Sequence, residues 1–282
     1  MINPAPKSML DKLADTFANE SIKYDLKPFS EGSRLIAKYR KSMNDLMGAE
    51  PYEAYLGLGV LSAYENNYPV ALQYFEAAKN LNPASRSPMI NIATCNLLNG
   101  DLEKCKNILA RTLDKFPNDP VVIRAYIRIL LMFFCFDEFD SLRLNNSSNT
   151  AFSDVINEID LDYAKIRSFL DAGKINLNVI REIKVLANQI FFSKFSINSS
   201  YVSNHDSDLG DVKFDEIIYV DPNLFGDNDD KDSIIFDLNE SLQDKLIDLM
   251  LKYMSLNDSE DSLNSFRNIS VYFALDIRNN KA

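Results

Sequence analysis

The chain has 282 residues, enough to bury a full core and to divide into two units of ordinary domain size. Hydrophobic residues make up 46% of it and only 8 positions are glycine, which excludes long disorder and points to an ordered, helix-rich protein. With 41 acidic against 30 basic side chains the net charge is −11, so the field of the molecule repels phosphate backbones and anionic lipid, and no direct nucleic-acid or membrane binding is expected.

The opening MINPAPKSML has no basic region followed by an apolar run, and so does not read as a secretory signal. The longest apolar stretch, Tyr126 to Phe136, is interrupted by Arg128 and falls far short of the roughly 20 residues a spanning helix requires. A cytoplasmic location is expected. The segment from Ser30 to Pro51 reads as the second helix of a diverged first unit.

From Tyr55 the sequence YLGLGVLSAYENNYPVALQYFEAAKNLNP predicts a helical hairpin. Asn66 and Asn67 stop the first helix, and Pro69 starts the second, because proline suits a first turn whose N–H is unpaired anyway. Ala71, Phe75 and Ala78 recur at i, i+4, i+7 on one face; Gly59 and Ala71 let two backbones approach, Phe75 fills the space above them, and Pro83 closes the pair. Pro117 follows Pro83 by 34 residues, and in that frame Met89, Ile92, Ala93, Cys105, Leu109 and Thr112 take the packing positions of a second hairpin, with Gly100 ending one helix and Asp101 capping the next. The chain from Pro120 to Leu144 continues the helical pattern without those landmarks.

Tyr55, Leu58, Gly59, Ala71, Phe75, Ala78 and Pro83 resemble the tetratricopeptide repeat, with Ser62 departing where that family places an aromatic. The resemblance implies a helical-hairpin solenoid with a concave face formed by the first helix of each pair, and no catalysis. It assigns the lining to Leu56, Val60 and Tyr64, then Ile90, Thr94, Leu97 and Leu98, with Arg124 and Arg128 bordering it. Family members that grip a C-terminal carboxylate carry Lys and Asn where this chain has Leu56 and Val60, so a mostly apolar groove for an extended or helical protein segment is expected instead. Arg124 and Arg128 either fix an acidic group of that ligand or pair with Asp101 or Glu103. Aspartates at 56 and 97 are expected to leave the fold intact. The runs YLGLGV and SPMINIATCNLLNG are also similar to the repeat chaperones of bacterial type III secretion translocators, which are shorter and lack the C-terminal part.

After the polar break NNSSNT at 145–150 the period vanishes. Two helices are expected between 151 and 200, hinged at Gly173, as an extension or a connector. A second polar run, INSSYVSNHDSDLGD, precedes residues 213–282, where EIIYV, SIIFDL and ISVYFALDI read as strands and NESLQDKLIDLMLKYM as a helix capped by Asn239. The expected architecture is mainly α: a tetratricopeptide-like solenoid over 1–146, then a small α+β domain that packs, dimerises or offers a second binding surface.

Candidate chemistry is sparse. Cys95, Cys105 and Cys135 form no C-x-x-C pair, His205 stands alone in a polar stretch, and no zinc set converges. The loop Asp221 to Asp232 departs from a calcium loop at Phe225 and Asp232 and reads as solvated. No phosphate-binding or nucleophile motif occurs. A non-enzymatic adaptor without cofactor or metal is expected, with an acidic mimic that occupies a basic surface as the alternative.

Overall fold

The computed structural model describes residues 8–17, 31–158, 167–168, 170–171, 175–195, 201–208, 213–225, 229–255 and 260–276. It is mainly helical with a small C-terminal sheet. Helices α1 (Met9–Phe17) and α2 (Glu31–Leu46) pack on α3 (Pro51–Tyr64). There follow α4 (Tyr68–Leu81), α5 (Ser87–Leu98), α6 (Leu102–Lys115), α7 (Pro120–Met132), α8 (Phe136–Asn145) and α9 (Thr150–Glu158). Each of α4 to α8 packs on its predecessor, while α9 packs on α7. Phe152 and Val155 of α9 enter the core formed by α5 to α8, so this packing runs past residue 146.

Helix boundaries follow local chemistry. Proline opens α3, α4, α5 and α7 at the first or second position, where a missing N–H costs nothing. Asp101 accepts from the amide of Lys104 at the start of α6, and Asp119 accepts from Val121 and Val122 at the start of α7.

The ends of α3, α5 and α7 are built alike. Asn66, Gly100 and Phe134, spaced 34 apart, have φ of 58°, 88° and 52°. In each, the left-handed residue donates three residues back, to Ala63, Leu97 and Leu131, and the next residue donates five back, to Ser62, Asn96 and Leu130. This is the same Schellman cap, turned by its αL residue, three times over. A second contact repeats at the same interval: Lys115 donates to the carbonyl of Pro83, and Asn149 donates to that of Pro117 at 2.9 Å. The 34-residue period is therefore present in the backbone of a third unit, 120–145, where the sequence pattern is lost.

The C-terminal part centres on α10 (Leu177–Lys194), a three-stranded sheet and α11 (Lys231–Ser255), with α12 (Glu260–Asn268) leading into the last strand. Strand β1 (Tyr201–Asp208) is antiparallel to β2 (Lys213–Val220), which is parallel to β3 (Ile269–Leu275). Phe214, Glu216, Ile218 and Val220 alternate onto the buried face of β2. Ile218 and Val220 meet a core supplied by Val179, Ile183 and Phe191 of α10 and by Leu238, Leu242 and Leu249 of α11, while Phe214 packs with Phe134, Phe136 and Ile180.

Two expectations differ from the structure. The run SIIFDL lies inside α11 rather than in a strand; a short apolar run is ambiguous, and its Ile235 and Leu238 continue the helical face of Leu242 and Leu249. Asn239 is consequently not a cap but sits in the helix, where its amide bonds both backbone groups of Phe273, donating at 3.0 Å and accepting at 2.8 Å. The polar run that precedes residue 213 carries β1. Gly173, the expected hinge, lies outside the described residues.

Candidate partner-binding surface

The expected lining forms two rows at the repeat interval, 56/90/124 and 60/94/128. Each row ends more exposed than it begins. Leu56 is 5% exposed and belongs to the core, whereas Ile90 and Arg124 are partly exposed; Val60 and Thr94 are partly exposed and Arg128 is fully on the surface. The cluster that holds Leu56 also receives Leu10 of α1 and Phe192 of α10, so the first unit is covered by other parts of the chain. Tyr64 is fully buried and Leu97 is 6% exposed, both in side-chain clusters. An aspartate at 56 or 97 thus strikes the core, contrary to the expectation that the fold would tolerate it. Val60, Ile90, Thr94, Arg124 and Arg128 remain as the accessible lining.

Near these rows, Glu103 pairs with Lys106 at 2.9 Å, and Asp101 receives the amide of Lys104 at the start of α6. Thr94 returns its hydroxyl to the carbonyl of Ile90 at 3.0 Å, which engages its donor within the helix.

Sequence reasoning missed the role of α10, which crosses all three αL turns. Arg181 donates to the carbonyls of Phe133 and Phe134 at 3.2 and 2.8 Å, the Gln189 side chain lies against Gly100, and the carbonyl of Phe195 accepts from Asn66 at 3.4 Å. The three contacts follow the helix in reverse order to the hairpins. Steps of eight and six residues rise about 12 and 9 Å at 1.5 Å per residue, close to the 8–10 Å between packed helices. One signal was legible: α10 carries apolar residues on two sides, Ile183 and Phe191 toward the sheet and Val185 and Phe192 toward the hairpins.

Between the second turn and the C-terminal part lies a cleft of about 550 Å³ bordered by Leu102, Arg181, Leu186 and Tyr253. Its charged groups are already engaged: Glu182 accepts from Lys252 at 2.7 Å and from Tyr253 at 3.0 Å.

Burial pushes the thiols of Cys95 and Cys105 up to about 12 and raises that of Cys135, so all three are protonated at neutral pH. Among the described residues, no three His, Cys, Asp or Glu side chains are grouped to hold a metal ion, and no helix is long and apolar enough to cross a membrane. The side chain of His205, on β1, and residues 226–228 of the acidic loop lie outside what is described, while Leu224 and Phe225 of that loop are buried. Comparison with protein-family models, curated proteins and solved structures finds no match to this chain.

Proposed function

We propose that the chain is a non-enzymatic interaction module, a solenoid of tetratricopeptide-like hairpins that holds a protein segment along α3, α5 and α7. The observation that carries this reading is the recurrence at 34 residues of the αL cap at Asn66, Gly100 and Phe134. Stacked equivalent hairpins place equivalent side chains in rows, and such rows suit an extended or helical ligand. The accessible row begins apolar at Val60 and Ile90 and ends cationic at exposed Arg128. The ligand segment it fits carries apolar anchors followed by an acidic group, which a planar guanidinium binds bidentately.

The test is a photo-crosslinking residue placed in turn at Val60, Thr94 and Arg128, with exposed Gln73 on α4 and Arg111 on α6 as controls. Capture of one partner segment from the first three positions and none from the controls supports the groove. Capture from the controls alone overturns it. Salt response separates an acidic mimic, whose affinity collapses between about 50 and 500 mM, from an apolar groove, which loses little.

A further inference from the structure

Helix α11 is apolar on two opposite sides. At about 100° per residue, Phe236, Ile247, Leu251 and Met254 fall within about 60° of one another, and Leu238, Leu242, Leu249 and Tyr253 point the other way. The second set is buried in the C-terminal core. The first set faces solvent, with exposures between 52% and 66%. A helix packed on one side normally turns a polar face outward, and several large apolar groups in line on the outer face mark a surface that another molecule covers.

The edge of this stripe is acidic. Asp237, Asp244 and Asp248 recur at helical spacing along one side, and Glu240 stands within the stripe; all four are exposed. Asp237 has Lys194 of α10 at 3.9 Å and Asp248 has Lys245 at 3.9 Å, which leaves the edge acidic on balance around Glu240 and Asp244. A second copy of the chain would bring this edge against itself in a molecule of net charge −11, and an anionic lipid surface would meet the same repulsion.

We infer that the outer face of α11 docks a basic amphipathic helix of a partner protein. Its apolar residues would sit on Ile247, Leu251 and Met254 and its Lys or Arg edge beside Asp244 and Asp248. Phe236 to Met254 spans about 27 Å, which sets the length of the contact. This surface is separate from the α3, α5 and α7 rows, so it stands or falls independently of the groove.

The probe is a synthetic Leu/Ala/Lys peptide of about 18 residues, apolar at i, i+4, i+7 and i+11 with lysines along one edge. A scrambled peptide of the same composition and a version with Glu for Lys are the comparisons, and binding is read by fluorescence anisotropy on the full chain. The expected result is saturable binding of the amphipathic Lys peptide, weakened about tenfold or more by Leu251→Asp with Ile247→Asp. Asp244→Lys with Asp248→Lys should reverse the preference in favour of the Glu peptide. Both pairs are exposed, and circular dichroism verifies that the variants stay helical. Equal binding of the scrambled peptide, or binding indifferent to both variants, overturns the inference. So does sedimentation showing that the wild-type chain self-associates through this face and Leu251→Asp does not. Flotation with anionic vesicles that the same substitution abolishes overturns it too.

Discussion

The ammonium of Lys184 lies 2.5 Å from Oε1 of Glu216, with side chains only 6% and 2% exposed, and 4.6 Å from the centre of the Phe134 ring. One buried ion pair thereby joins α10, the middle strand and the third αL turn. Phe134 also meets Phe214 edge-on, so the residue with the unusual backbone is held by the C-terminal core. Removing one partner of such a pair leaves an uncompensated buried charge, which costs about 3–5 kcal/mol, while replacing both with apolar groups is often close to neutral. Lys184→Met should destabilise the protein by that amount in urea unfolding. Lys184→Met with Glu216→Leu should recover most of the loss, and strictly additive losses would refute the coupling.

Gly59 lies inside α3 and Gly100 ends α5, and their roles differ. A Cβ on Gly59 would stand 2.5 Å from the ring of Phe75, which is buried, so the α3–α4 contact has no room to yield. At Gly100 the obstacle is the flexible end of Gln189, and the cost of alanine comes mainly from its φ of +88°. Gly59→Leu should therefore lower stability by about 1–3 kcal/mol or more through overpacking. Gly100→Ala should cost about 1 kcal/mol. Thermal melts of the two give the ordering, and equal shifts would remove the packing argument.

The first two hairpins were legible because glycine, asparagine and proline punctuate them at fixed intervals. The third was not, because Phe134 occupies the position that Gly100 and Asn66 hold in the others, and its ring serves a contact with residues 80 positions away. That gain is invisible to a local pattern. The strand misreading at Ser233–Leu238 has a related cause: α11 is apolar on both sides, so its hydrophobic period is blurred. In the candidate groove, the frame placed Leu56, Tyr64 and Leu97 in a lining, but only tertiary packing by α1 and α10 decides which of those positions remain open.

Asn239 closes the free edge of β3 from α11 by mimicking a neighbouring strand at Phe273. Asn239→Ala leaves an amide and a carbonyl without these partners, at a cost of about 1–3 kcal/mol. Asn239→Asp should keep the bond accepted from Phe273 and lose the one donated. Hydrogen exchange at the Phe273 amide should accelerate markedly in the alanine variant and far less in the aspartate variant. Unchanged exchange in both would mean that the sheet edge is protected by other means.

Glu53 sits on α3 with one carboxylate oxygen buried and lacking a hydrogen-bond partner. Desolvation first, then the negative charges of Glu50 and Asp11, raise its pKa above the ordinary carboxylate value. A carboxyl whose folded pKa is raised binds its proton more tightly in the native state than in the unfolded one. The associated stability is present below the unfolded pKa and is lost as pH rises through the folded pKa, so at neutral pH the ionised group works against folding. The favourable field of the α3 N-terminus offsets part of this and reduces the effect without changing its sign. Glu53→Gln, which keeps the shape and removes the charge, should raise the melting temperature at pH 7. The advantage over wild type should shrink as pH falls through the carboxylate range, where wild-type Glu53 becomes neutral as well. A Glu53→Gln variant that melts below wild type at pH 7, or a difference constant down to pH 3, would show that the carboxylate is held favourably at the α1–α3 contact.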